Sequence, residues 1–467
     1  MARPHLLRPT STRKRLWQLT TLLAVATLVF ASANAWQSED RAVGRKMLGH
    51  DFLAFYTAGS FVREGRTADL YDLEKVAAHE KQVADAAGLD ITVDYASRKF
   101  GPYWNPPLYA WVFAPLAALP FAKALAIWTA INLAALGGAI LLMVRMLAPT
   151  WLQSDAAGRP VDWRTTGLIP FAVLLSMPFV QAVSHGQNTC GSLLLLAATA
   201  TFWRNRRAVL AGLCCGLMAY KPQLSAVVAV AMAIGMGGRA IAGLALAVSA
   251  GVLLTQFTMP GVLVDYLHRM PANLKYMQIE HAYLWERHVT LAGFWRLLLQ
   301  GRGAGEWLLV TRVLHAVTLL VIGGLLLRAL WSQRRVGGPE DLGSHASRRT
   351  WRDRLIAATI CAAPLLMPFY FDYDLLLLAV PATMLAAEQL VRPIDPQPGD
   401  RWLVRTWVAL YAWMLINPGM AGMTHVNLTV VLLAAVSIQM TRRATRPGVP
   451  GLRREPAPQP VPVARAA

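Results

Sequence analysis

The sequence predicts an all-α polytopic membrane protein, and three observations carry that reading. Of 467 residues, 55% are apolar and only 15% are charged, against about 25% charged in soluble domains. The deficit is local, leaving several uncharged runs near the ~20 residues that a helix needs to cross a bilayer. Arg and Lys gather in short clusters beside those runs, the mark of cytoplasmic loops.

Arg3, Arg8, Arg13, Lys14 and Arg15 precede the first apolar run. Candidate spans follow at 16–36, 124–146, 166–184, 188–203, 208–220, 223–237, 240–258, 308–330, 355–370, 374–391, 402–418 and 426–440. These about 12 spans place both termini in the cytoplasm. They also keep Arg204, Arg206 and Arg207, the run from Arg334 to Arg354, and Arg442 to Arg454 inside. Residues 13–35 fit a secretory signal as well; the many later spans favour an uncleaved helix, and either reading sends the next loop outward. Segment 107–120 is apolar but short and proline-bounded, so the charge bias predicts a re-entrant or partly inserted piece. Segments 208–220 and 223–237, parted by Lys221-Pro222, read as one broken unit lining a cavity. The ten-residue alternation of a β-barrel is not seen. Residues 1–446 form one transmembrane domain, and the Pro/Arg/Ala-rich tail 447–467 is expected to be disordered in the cytoplasm.

The net charge of +19 sits at helix ends, where it can lean on anionic lipid heads. It gives no support to a nucleic-acid role. Cys190, Cys214, Cys215 and Cys361 all lie in apolar runs. They form neither a disulfide framework nor a Cys/His metal spacing, so no metal and no cofactor is expected.

The first outer loop, 37–104, is expected to be helical. It holds eleven of the 26 acids and nine Lys/Arg, so it is acidic within a basic chain. Its segment 74–87 has Val76, Val83 and Ala87 on one side of a helix. A second outer loop, 259–290, is rich in Tyr, Trp and His, while 332–354 is a basic inner loop.

This topology brings four polar groups to the outer face: Asp51 with Tyr56; Ser184-His185-Gly186-Gln187-Asn188; Tyr220-Lys221-Pro222-Gln223; and Pro368 to Asp374. One site built from several helix ends would explain them. An ionised carboxylate can take a proton from a substrate hydroxyl, and cationic or amide groups can stabilise a leaving phosphate. Each residue also has a plainer reading. Asp51 could cap a helix starting at Phe52. His185 could be a turn residue, and Lys221 could snorkel to the interface. Asp372 and Asp374 could be loop acids, although apolar runs bracket them tightly. Asn105, in Trp104-Asn105-Pro106-Pro107, could belong to a helix-start signal.

The order of motifs is more specific than any one of them. It runs D-F-x-x-F-Y-x-A-G from Asp51, then G-x-x-x-x-L-Y-D from Gly65, then W-N-P-P-L-Y from Trp104 and P-L-A-A-L-P-F from Pro115. H-G-Q-N from His185 and Y-K-P-Q from Tyr220 complete it. This series resembles glycosyltransferase family 87, polyprenyl-phosphate-sugar-dependent enzymes of the GT-C superfamily, over about residues 45–390.

The resemblance implies a GT-C-like helical bundle in the cytoplasmic membrane with its site on the outer or periplasmic face. It implies a sugar, with mannose as the first candidate, carried on a polyprenyl-phosphate donor. An acceptor hydroxyl on a glycolipid or glycan would attack with inversion, and Asp51 would be the general base. Lys221, His185, Gln187 and Asn188 become candidates for the donor phosphate and sugar, and Tyr56, Asn105, Gln223, Asp372 and Asp374 for donor or acceptor. Mannosyltransferase-like members often carry P-x-S-W-x-H-H in the late outer loop; here the segment reads Pro368-Phe369-Tyr370-Phe371-Asp372-Tyr373-Asp374, without paired histidines. Arg287 to Leu291 also replaces an Asn and a Ser that relatives tend to carry. The sugar therefore stays open. The alternative from another class is a secondary transporter of a small solute or lipid. It would place ionisable groups near mid-bilayer and show related halves, and no repeat is seen here.

Overall fold

A computed structural model describes residues 48–89, 91–147, 163–335, 345–388 and 399–445, with a few positions between 18 and 29. Most of the expected first span and the whole tail 447–467 lie outside the described residues. Among those described there are helices and turns but no strand, only two isolated bridges.

The α-helices, in chain order, are α1 His50–Arg63, α2 Leu73–Ala86, α3 Phe121–Leu147, α4 Trp163–Leu174, α5 Met177–Ser184, α6 Thr189–Arg204, α7 Ala208–Leu217, α8 Pro222–Met236 and α9 Gly238–Thr258. Then come α10 Val262–Gln278, α11 Leu291–Gln300, α12 Leu309–Arg335, α13 His345–Leu366, α14 Ala379–Ala386, α15 Asp400–Trp413, α16 Asn417–Thr424 and α17 Leu428–Thr445. Three helices are long and apolar enough to cross a membrane: Phe121–Leu147, Gly238–Thr258 and Leu309–Ser332. The total reaches five if the sharply bent pairs α4–α5 and α16–α17 each count as one span. Together with further shorter apolar helices, this is an all-α membrane protein. The twelve-span count of the sequence reading is not reached by length and composition among the described residues, because many apolar runs break into short pieces. Leu246, Leu253, Phe257, Leu309 and Leu320 point outward from α9 and α12, which is tolerable only where lipid replaces water.

Segment 107–120 is not a spanning helix. Its prolines break it into two short 3₁₀ turns, Pro107–Val112 and Leu116–Ala118, since Pro fixes φ and lacks the N–H that continues a helix. The Lys221-Pro222 break is as expected, with Pro222 opening α8 after a 3₁₀ turn at Met218–Tyr220. The amphipathic segment 74–87 folds as α2, capped by the Asp72 side chain, which accepts from the Lys75 N–H.

Two apolar cores divide the work. One joins α6, α8, α13, α14 and α17 through residues such as Leu193, Val228, Cys361 and Leu433. The other lies under α1, where Phe52, Phe113, Phe121 and Trp128 pack together. The segments around α2 and α10 join: Asn273 Nδ2 on α10 donates to Tyr71 O at 3.0 Å, and the Tyr95 and Tyr276 rings stack. α7 and α9 cross at backbone contact. A Cβ added to Gly212 would lie 2.1 Å from Ala240 O, and one on Gly243 would lie 2.1 Å from Val209 O. Small residues permit such approach between apolar helices.

The polar groups separate to opposite ends of α6, which at 1.5 Å per residue is about 24 Å long. At its C-terminal residue Arg204 pairs with Asp353 at 2.7 Å. Arg354, the residue after that aspartate, shares Glu388 with Arg443, and Arg443 also pairs with Asp400. Buried cations this close to acids satisfy one another. The other end of α6 carries the polar groups described next.

Candidate functional site

Asp51 sits in the first turn of α1, not at its cap; the helix begins at His50, with Gly49 as N-cap at φ +74°. This corrects the reading of Asp51 as cap of a helix starting at Phe52. The helix start is clamped to the turn after α5 by main-chain bonds. Gly49 N–H donates to Ser184 O at 2.8 Å, and the Asp51 and Phe52 N–H groups donate to His185 O at 3.1 and 3.3 Å. Gly186, at φ +70°, permits the approach, since a Cβ there would fall 2.7 Å from Phe52 Cβ. Trp128 Nε1 donates to Gly186 O at 2.8 Å and fixes the turn from the side of α3.

A chain of side-chain contacts runs from this clamp. Gln187 Nε2 donates to Asp51 Oδ2 at 2.7 Å, and Lys221 Nζ donates to Gln187 Oε1 at 3.3 Å. Lys221 Nζ also donates to Asp374 Oδ1 at 3.3 Å, which accepts from Thr189 Oγ1 at 3.1 Å. All four sequence groups thereby contribute a residue to one network. Lys221 does not snorkel; it is buried beside the Tyr373 ring.

Asp372 belongs to a second branch. Arg287 grips it through Nε and Nη2 at 3.1 and 2.8 Å, and Gln181 Nε2 donates to it at 3.2 Å. The Arg287 guanidinium lies over the Phe371 and Tyr373 rings. The loop carrying it is pinned by Val289 N–H donating to Tyr370 O at 2.9 Å. Arg287 was noticed in the sequence only as a departure from the family pattern, and its fork onto Asp372 gives it a place.

Two histidines flank Asp51. His50 Nε2 lies 3.0 Å from Oδ1 and His185 Nδ1 lies 3.5 Å from Oδ2. The Asp51 carboxyl feels burial, which raises its pKa, but charge and hydrogen bonding from His50 and His185 outweigh it and hold the group well below the usual carboxylate range. An ionised carboxylate at a partly open position results.

The remaining candidates sit differently. Tyr56 donates its hydroxyl to Leu119 O at 2.8 Å and packs on Phe52 and Phe121, away from the acid network. Asn105 supports the wall: its Nδ2 donates to Tyr220 O at 2.8 Å while its carbonyl accepts from Tyr71. Asn188 is the buried N-cap residue of α6, and Gln223 is half-buried in the first turn of α8. Trp285 is buried against Tyr283, His288 and Trp307.

An all-α chain with lipid-facing apolar helices and a buried acid–amide–cation network at one helix end defines a membrane protein with an assembled polar site. Compared with protein families, the sequence matches glycosyltransferase family 87 over residues 103–341, just over half of the chain, and the chain belongs to that family. It is a membrane glycosyltransferase. The matched stretch contains Gln187, Lys221 and Arg287, while Asp51, Asp372 and Asp374 lie outside it. No curated protein and no solved structure matches the chain.

Proposed function

We propose that this protein moves a sugar from a polyprenyl-phosphate donor to an acceptor hydroxyl at the outer face of the cytoplasmic membrane, with inversion and with Asp51 as general base. The observation that carries the reading is the link from Asp51 through Gln187 to Lys221, which puts a proton acceptor and a cation in one hydrogen-bonded unit.

The chemistry follows from that spacing. The acceptor hydroxyl gives its proton to Asp51 while its oxygen forms a bond to the anomeric carbon. The bond from that carbon to the phosphate oxygen breaks, and its electron pair leaves on the lipid phosphate. Lys221, a point charge with three donors, is suited to meet the departing phosphate. Arg287, with a planar fork already set by Asp372, is suited to the donor's other oxygens or to the sugar. Apolar helix faces around the bundle suit a polyprenyl chain. Mannose remains the first candidate sugar on resemblance, and a glycolipid or glycan is the proposed acceptor.

The test is Asp51→Asn in proteoliposomes supplied with polyprenyl-phosphate sugar and an envelope lipid extract as acceptor. General-base catalysis contributes about 10²–10⁴-fold, so product formation should fall by that range in a normally folded variant. Wild-type transfer by Asp51→Asn would overturn the assignment. Solute uptake by vesicles with no glycoside product would favour a transporter instead.

A further inference from the structure

His50, Asp51 and His185 each bring one possible ligand atom together, all three within 4.8 Å of one another. From this we infer that the three residues bind a first-row divalent cation. Zinc–nitrogen and zinc–oxygen bonds of ~2.0–2.2 Å at tetrahedral angles would separate neighbouring donor atoms by about 3.3–3.5 Å. The observed contacts, 3.0 Å from His50 Nε2 to Asp51 Oδ1 and 3.5 Å from His185 Nδ1 to Asp51 Oδ2, lie near that spacing, each imidazole facing a different carboxylate oxygen. Two imidazoles and one carboxylate suit zinc, manganese, iron or cobalt better than calcium or magnesium, which prefer all-oxygen shells.

The surroundings resemble a built ligand set. Both histidine-bearing segments are joined by main-chain bonds across Gly49 and Gly186, so the donors are held before any ion arrives. Gln187 donates to the Asp51 oxygen at 2.7 Å and orients the carboxylate, as groups behind metal ligands do. His185 is fully enclosed, whereas the Asp51 side chain keeps 25% of its surface exposed. Three protein ligands with an open side match a site that takes a further ligand from substrate or water, not a closed structural one.

Charge gives an independent reason, which rests on the proposed donor. The network holds three carboxylates, Asp51, Asp372 and Asp374, against two permanent cations, Lys221 and Arg287. With both imidazoles neutral, as metal ligation requires, an anionic phosphodiester would enter a negative pocket. A divalent ion beside Asp51 reverses the balance and offers a positive centre to phosphate or acceptor oxygen.

The experiment needs no turnover. Protein purified in detergent without a histidine tag is stripped with chelator and titrated with Co²⁺, Mn²⁺ and Zn²⁺. Metal content is read by elemental analysis, and cobalt coordination by its visible absorption. About one equivalent per chain, with absorption bands of a nitrogen-ligated site, is expected in the wild type. His50→Ala, His185→Ala and the gentler His50→Gln should each lose it while tryptophan fluorescence stays native. No bound ion in the wild type overturns the inference, as does unchanged stoichiometry in folded histidine variants. Glycosyl transfer unaffected by chelation, with no ion bound, would remove the metal and leave the proposed reaction standing. An ion bound without any transfer would retain the metal and remove the reaction.

Discussion

Gln187 holds Asp51 with one end of its amide and Lys221 with the other, at 2.7 and 3.3 Å. An amide can do both, since its nitrogen donates and its oxygen accepts. Gln187→Ala should therefore leave both charged groups in place but unaligned. Loss of a residue that orients a reacting group or ligand costs about 10–100-fold in activity, seen in kcat before KM. Gln187→Glu should do worse, because a second carboxylate would repel Asp51 and retain only Lys221. Initial-rate kinetics on the two variants check the order.

Arg287 binds Asp372 with a planar fork, which lysine cannot reproduce. Arg287→Lys should lower transfer about tenfold or more despite unchanged charge. Arg287→Met should lower it further, because Asp372 is then buried without its cation. Equal activity of Lys and Arg variants would show that only charge matters there.

Glu80, buried on α2, accepts from Gly101 N–H at 2.9 Å, yet burial pushes its pKa from 4.5 up to about 8. Between those values the folded chain keeps a proton that the unfolded chain has lost. Stability is therefore greatest below the lower value and falls as pH rises through the window, by roughly 1.4 kcal/mol per pH unit at its steepest. Glu80→Gln keeps an oxygen for Gly101 and cannot ionise. It should be more stable than wild type at pH 8 and nearly equal at pH 5, by thermal unfolding in detergent.

Gly186 and Gly65 have nearly the same φ, +70° and +71°, but only Gly186 has neighbours within reach of a new Cβ. Gly65→Ala should cost about 1–2 kcal/mol, the penalty of a left-handed alanine. Gly186→Ala adds a clash with Phe52 and should cost on the order of 2–5 kcal/mol. It should also reduce activity, because it parts Asp51 from His185 and Gln187.

Topology can be checked on exposed positions. Ser97, between α2 and α3, and Asn205 after α6 are both exposed. Ser97→Cys should react with an impermeant thiol reagent in intact cells, and Asn205→Cys only after permeabilisation. The reverse pattern would place the acid network on the cytoplasmic side and remove the proposed donor geometry.

How much of this was legible before folding depends on range. Composition and charge clusters sufficed for the all-α membrane class, and Val76, Val83 and Ala87 on one side sufficed for α2, since these signals are local. The breaks at Lys221-Pro222 and through 107–120 were readable from proline. The helix start at His50 was not, because Gly49 gains its cap role from main-chain bonds to Ser184 and His185 far along the chain. Gln187, His185 and Lys221 could be named as polar residues near helix ends. Their joining to Asp51 spans 136 positions and leaves no periodic trace. For the same reason the His50–Asp51–His185 group carries no recognisable ligand spacing, and Arg287 stood out only as an oddity. Tyr56 had the right chemistry for sugar contact, but its hydroxyl bonds Leu119 O and its ring packs on Phe52 and Phe121.

The glycine crossing of α7 and α9 has one more consequence. With Gly212 against Ala240 and Gly243 against Val209, no gap remains between those helices for a hydrocarbon tail to slip through. A lipid-borne substrate must enter the bundle by some other doorway, and bulky residues at this seam should alter assembly of the protein rather than its choice of lipid.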